Sequence, residues 1–203
     1  MLKDLNVTKF LDALSSADPT PGGGSAAALV GATGASLLAM VAGMPKSRTN
    51  AAEERSALDS AHPQLLAHRT TLIELIDRDA AAYDLVIAAF RLPKGTDEEK
   101  TARREAVQKA TQIATEVPLD TIRACVDTMR AGRAAAAHGN QNAASDVKVG
   151  YRLLMAAAEG AQDNVDINLG GLTDSSVQSR IQDSAKALMT AAHTHVREVL
   201  GVR

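Results

Sequence analysis

Residues 19–45 read PTPGGGSAAALVGATGASLLAMVAGMP, with no charged side chain between Asp18 and Lys46. The opening Pro-Thr-Pro-Gly-Gly-Gly cannot continue a helix, because proline fixes φ and glycine admits conformations closed to other residues. From Ser25 to Met44 the composition turns to alanine, leucine, valine and methionine, which favour helix. A glycine turn therefore delivers the chain into the N-terminus of a helix, where free N–H groups and the helix dipole attract an anion or a carbonyl oxygen. Ala27, Gly31, Ala35, Ala39 and Gly43 recur every four residues as a smooth stripe. Each interior glycine costs about 1 kcal/mol relative to alanine, so close packing of another backbone must offset it. The run is long enough to span a membrane. Its wealth of Gly, Ala, Ser and Thr, and the polar chain on either side, predict instead a buried central helix and no membrane partner.

Outward from this stretch, helical spacing recurs throughout. Val7, Phe10, Leu11 and Leu14 predict a helix over about 5–16. Asn50 with Glu53 resembles a capping box for a helix to about Phe90, kinked or restarted at Pro63. Thr96 with Glu99 is a second capping box, opening a helix to about Val117, with a bend or new start at Pro118 and helix again towards His138. Gly139 reads as a stop and Ser145 as a cap for a helix over about 146–164. NVDINLGGLTD reads as an irregular joint, and Thr173 or Asp174 caps a last helix over 175–200. No run alternates with period two. The expected fold is all-α: a single domain over 1–203, a multi-helix bundle around the Gly/Ala-rich helix.

The 203 residues include no Trp, two Tyr and two Phe, and the apolar share of 45% is largely alanine. Thin side chains bury little area each, so a second copy is expected to cover apolar surface in a homodimer. A net charge of −2 argues against nucleic acid as a partner. One cysteine, Cys125, excludes an internal disulfide and suits a reducing, cytoplasmic setting; no signal peptide is visible. Gly22 to Ala27 loosely fits a dinucleotide fingerprint but follows no strand. His193 and His195 face different ways, and no HExxH or Cys/His cluster exists, so no metal is expected.

Within LIELIDRDAAAYDLVIAAF, residues 72–90, helical placement puts Leu72, Leu75, Ile76, Tyr83, Val86 and Phe90 on one arc, with Asp79 in its midst. A carboxylate there is costly unless bonded, and desolvation raises its pKa towards the range of a general acid or base. A satisfied core aspartate is the equal alternative. Asp77 and Asp84 fall at the edge of the arc, as solvated or ion-paired groups. GNQNAASD gathers Asn140, Ser145 and Asp146, and a later joint holds Asn164 and Asn168. Such amides and hydroxyls read a heterocycle's donors and acceptors, or serve as caps.

PTPGGGSAAAL, LIDRDAAAYDLV, LPKGTDEEK, ATEVPL, GNQNAASD and NVDINL together, in this order, resemble the cyclodeaminase/cyclohydrolase family, across about residues 5–180. The resemblance implies an all-helical homodimer acting on a one-carbon derivative of tetrahydrofolate. One branch closes 5-formiminotetrahydrofolate to 5,10-methenyltetrahydrofolate with loss of ammonia; another hydrates the methenyl bridge to 10-formyltetrahydrofolate. The acid/base that it implies lies in LIDRDAAAY, at Asp79 or, second, Asp77. It implies a folate pocket lined by Pro21, Gly22, Gly23, Gly24 and Ser25, with Asn140, Ser145, Asp146, Asn164 and Asn168 for the pterin or water. Lys94 would meet the glutamyl tail, with Lys46 and Arg48 as helpers. A non-catalytic helical dimer that binds a small ligand remains the reading from a different class.

Overall fold

The computed structural model describes residues 1–201. A short 3₁₀ turn, Leu2–Asp4, precedes six helices: α1 (Val7–Leu14), α2 (Gly23–Gly43), α3 (Ala52–Phe90), α4 (Asp97–His138), α5 (Ala144–Leu169) and α6 (Ser175–Leu200). Among the described residues there is no strand.

The small residues of α2 explain how the bundle closes. A methyl group on Gly31 would meet the Cys125 sulfur and Leu72 at 3.1 Å, and one on Gly34 would stand 2.8 Å from the Gly150 carbonyl oxygen. Gly132 in turn leaves room for Leu38 and for the ring of Tyr151. Read along α2, these contacts set α3 and α5 antiparallel to it and the second half of α4 parallel. So α2 is wrapped on three sides, and Leu38, Val41, Leu58, Leu65, Leu72, Leu75, Ile122, Met129 and Leu154 are sealed around it. Cys125 lies in this core, where burial pushes its thiol up to about 12. The Tyr151 hydroxyl satisfies itself by donating to the Met129 carbonyl at 2.6 Å.

Both internal prolines prove compatible with continuous helix. Pro63 lies within α3 and Pro118 within α4, so neither helix restarts at its proline. Each removes one backbone donor, and the tertiary packing of such long helices outweighs that loss. The capping box at Thr96 and Glu99 forms as expected, and Gly139 ends α4. The one at Asn50 does not. Asn50 takes a left-handed φ of 63°, and Glu54 instead accepts from the Thr49 N–H and the Ser47 hydroxyl. Ser145 is no cap: Asn140 caps a 3₁₀ turn over Gln141–Ala143, and Ser145 falls inside α5. The helix α5 then runs on through Asn164 and Asn168 to Leu169, where an irregular joint was expected. Asp174 caps α6, donated to by the Ser176 and Val177 N–H groups.

The arc on α3 is only partly buried. Leu72, Leu75 and Ile76 are in the core, but Tyr83 is 37% and Phe90 51% exposed. In the last turns of α3 the buried line runs through Ala82 and Ala89, which leaves Tyr83 and Phe90 on its outer edge. Arg103 covers the Phe90 ring at 5.4 Å and donates to the Phe90 carbonyl.

Candidate active site

The turn Pro19–Gly22 leads directly into α2, which begins at Gly23 without a side-chain cap. Asp79, in the second half of α3, lies against that first turn. A Cβ built on Gly24 would stand 2.5 Å from the Asp79 Cγ, 2.8 Å from Oδ2 and nearer still to Oδ1. The carboxyl thus occupies the space that any side chain at position 24 would need. Only glycine fits.

Ser25, the next residue, is completely buried. Its hydroxyl oxygen is 2.9 Å from Asp79 Oδ2 and 3.0 Å from the Ile76 carbonyl oxygen. Burial pushes the Asp79 carboxyl above the usual 3.8, and hydrogen bonding from Ser25 opposes that rise. Asp79 is nevertheless not sealed in the core, so one side of the carboxyl faces the outside. The half-buried position therefore holds its proton more tightly than a free aspartate does, which makes it a weaker acid and a stronger base.

Asn164 of α5 comes to the same place. Its Nδ2 would lie 3.6 Å from a methyl group on Gly23, and it donates to the Gly160 carbonyl at 2.7 Å. That leaves the amide oxygen of Asn164 as an acceptor beside the glycine turn. Asn168, one helical turn on, donates to the Ala114 carbonyl and fastens α5 to α4. Pro21 is buried, Gly22 half-buried and Gly23 exposed. The structure therefore brings Gly22, Gly23, Gly24, Ser25, Asp79 and Asn164 together.

The other residues singled out in the sequence lie elsewhere in the chain. Asp77 accepts the Leu2 N–H at 2.6 Å and the Lys3 N–H at 3.4 Å, while its Oδ2 is buried without a hydrogen-bond partner. It is neither solvated nor ion-paired; it anchors the N-terminal 3₁₀ turn to α3. Lys94 is exposed in the turn after α3, beyond Phe90, which is about 16 Å from Asp79 along the helix. Asn140, Ser145 and Asp146 lie at the far end of α2, where Gly139 packs against Val41. Gly24 and Val41 are about 25 Å apart along α2. At that far end a cavity of about 350 Å³ is lined by Arg48, Arg133, Asn140, Gln141, Lys148 and Glu198 among others. Arg48 donates to the Ala136 carbonyl there, and Arg133 pairs with Glu198 at 3.1 Å.

Sequence reasoning put Asp79 close to the glycine turn, and the structure seats it on Gly24 itself; the tether at Asp77 was missed. The triple glycine carried the first signal, since three glycines in a row exceed what a turn demands. The tether had no signal, because no local pattern announces a side chain that caps a segment 75 residues away.

The chain matches the family model described as Formiminotransferase-cyclodeaminase over residues 6–187. It is 39% identical over 168 residues to a methenyltetrahydrofolate cyclohydrolase of Methylorubrum extorquens, covering 83% of this chain and 81% of that protein. It is 32% identical over 200 residues to the formimidoyltransferase-cyclodeaminase of Rattus norvegicus, covering 98% of this chain but only 37% of the rat protein. Its fold is similar to the crystal structure of a formiminotetrahydrofolate cyclodeaminase from Thermotoga maritima, with a TM-score of 0.85 and 25% identity over 99% of this chain and 98% of that one.

Proposed function

Because the chain belongs to the formiminotransferase-cyclodeaminase family, we propose that it is a folate one-carbon enzyme with Asp79 as its acid/base. The observation that carries the proposal is the seat of Asp79: pressed onto Gly24, bonded to buried Ser25, raised in pKa and open on one side. In the first reading the substrate is 5-formiminotetrahydrofolate, bearing its formimino group on N5 as an amidinium cation. N10 attacks the amidinium carbon, giving a tetrahedral carbon between N5 and N10. The proton lost from N10 and the proton gained by the departing amine balance, so one carboxyl can pass both. Ammonia leaves, and the methenyl cation remains. The exposed Gly23 and the Asn164 amide oxygen flank that position, the Gly23 N–H suiting an acceptor of a pterin and the amide oxygen a donor.

The second reading is a methenyltetrahydrofolate cyclohydrolase, favoured by the 39% identity to a relative of that name. There Asp79 takes a proton from the water that adds to the methenyl carbon and gives it to N5 as the C–N5 bond breaks, while the remaining hydroxyl proton is released to solvent as the formyl C=O forms. The transferase reaction of the longer relatives is not proposed for this chain, which spans about a third of their length. Pro21, Gly22 and Lys94 are proposed for substrate binding as the resemblance implies, with Lys94 reaching only an extended tail.

A homodimer is part of the proposal. The fourth side of α2 is uncovered, with Leu29, Val30 and Leu37 half-buried and Met40 44% exposed. Two copies packed across this side with their α2 helices antiparallel would set Asn140, Ser145 and Asp146 of one beside Gly23 and Asp79 of the other. The uncovered apolar stripe supports dimerisation rather than membrane insertion, since 56% of the most apolar window of α2 is already buried inside the chain. Buried Cys125 suits the cytoplasm.

The test is the methenyl absorbance, followed from 5-formiminotetrahydrofolate as it appears and from preformed methenyl substrate as it vanishes. Turnover in either assay, abolished by Asp79→Asn with the melting temperature retained, is expected. Full turnover in that variant would remove Asp79 from the chemistry. Binding of a folate without turnover would favour the non-catalytic dimer.

A further inference from the structure

Ser25 has more acceptors than its hydroxyl can serve. The group carries one proton and two lone pairs, and the Ile76 carbonyl can only accept. Yet Oγ lies within hydrogen-bond distance of both the Ile76 oxygen, at 3.0 Å, and Asp79 Oδ2, at 2.9 Å. Two arrangements satisfy these distances, and they differ in the state of Asp79. When Asp79 is ionised, the Ser25 hydroxyl donates to Oδ2, and the Ile76 carbonyl keeps its helical hydrogen bond alone. When Asp79 is protonated, its O–H donates to Ser25 Oγ, and the Ser25 hydroxyl turns to donate to Ile76. Passing from one to the other needs only rotation about the Cβ–Oγ bond.

We infer that Ser25 is a positioning residue that lets Asp79 gain and lose a proton without leaving its seat over Gly24. The inference rests on the reading of Asp79 as the acid/base and says how one carboxyl serves both proton transfers. On the side of the carboxyl that meets fully buried Ser25, a partner that could only donate or only accept would favour one state, because an unsatisfied polar group is costly away from water. The rotating hydroxyl removes that bias. Ser25 is fully buried and faces α3, so it acts through Asp79 and not on the ligand. The charged neighbours of Asp79 on α3 are engaged elsewhere: Asp77 holds the Leu2 N–H, and Arg78 pairs with Asp120 at 2.9 Å. The helix α2 carries no ionisable side chain, and α5 presents the neutral amide of Asn164.

The experiment compares Ser25→Ala, Ser25→Cys and the parent by carbon NMR titration of aspartate carboxyls, without substrate, and by the pH profile of kcat. In Ser25→Ala the ionised carboxylate loses its donor, so the Asp79 midpoint should move up by about one pH unit or more. The limb of the kcat profile due to Asp79 should move with it, and kcat should fall about tenfold or more with little change in KM. Ser25→Cys, which keeps a weak donor of similar size, should fall between the two. An unmoved midpoint in both variants, or a uniform loss of activity with an unchanged pH profile, overturns the inference. Ser25→Cys alone suffices where Ser25→Ala does not fold. Turnover by Asp79→Asn would instead defeat the reading of Asp79 itself, so the two failures are distinguishable.

Discussion

Replacing Gly24 by alanine adds a single methyl group, aimed at Asp79. The new Cβ would stand 2.5 Å from the carboxyl carbon and 2.8 Å from Oδ2, inside van der Waals contact. The new Cβ is fixed by the backbone of α2 and the contacted atoms are the end of the Asp79 side chain, so the carboxyl must retreat, by about 1 Å, out of reach of Ser25 and of the ligand. A misplacement of that size costs on the order of a hundredfold in rate. Stability responds far less: overpacking costs about 1–3 kcal/mol, and alanine returns up to about 1 kcal/mol of helix propensity. The net change stays within about 2 kcal/mol, a melting shift within roughly 8 °C for a chain of this size. Initial rates from the methenyl absorbance should give a kcat lowered by about a hundredfold or more. The double variant with Asp79→Asn should be no slower than Asp79→Asn alone, since both act on one group. The reasoning is refuted if Gly24→Ala keeps its rate within about threefold, or if the double variant is further impaired. Gly23→Ala is the stability control, because its methyl group meets only Asn164 Nδ2, at an ordinary 3.6 Å.

Asp77→Ala frees the Leu2 and Lys3 N–H groups, so it should lower unfolding stability by about 1–2 kcal/mol in urea titration while leaving kcat near the parent value. A loss of kcat without loss of stability would return Asp77 to the chemistry. The raised pKa of Asp79 has a stability consequence of definite sign. Folded protein holds that proton more tightly than unfolded chain does, so the Asp79 contribution is favourable at low pH. It is lost as pH rises from the unfolded value near 3.8 through the raised folded value. Asp79→Asn lacks this loss, so its melting temperature relative to the parent should climb across that window and then level off; a difference flat with pH contradicts it. Cys125, buried with its thiol pushed up to about 12, should resist iodoacetamide at pH 8 in the folded protein and react once unfolded. Mass spectrometry of the alkylated chain distinguishes the two.

The sequence by itself determined the class of fold and its axis. An uncharged run with small residues every four positions suits the centre of a helical bundle, and α2 fills that place, with Gly31 and Gly34 meeting the side chains and backbone of three other helices. Local chemistry also settled several helix ends, as at Thr96 and Gly139, and narrowed another to Thr173 or Asp174, because caps act over three or four residues. It placed Asp79 on a mostly apolar stretch, since helical periodicity alone says which residues share a face. Tertiary structure decided the rest. It carried α3 through Pro63 and α4 through Pro118, because packing along these helices outweighs one missing donor each. It parted Asp77 from Asp79, two residues apart on one helix but turned to different neighbours. It put Asn164 beside Gly23 and left Asn140 at the opposite end of α2, since antiparallel packing of α5 joins positions that are remote in sequence. The seat of Asp79 on Gly24 belongs to the same kind of fact. Periodicity reports the face a residue takes, and only the packing of one helix on another reports what that face meets.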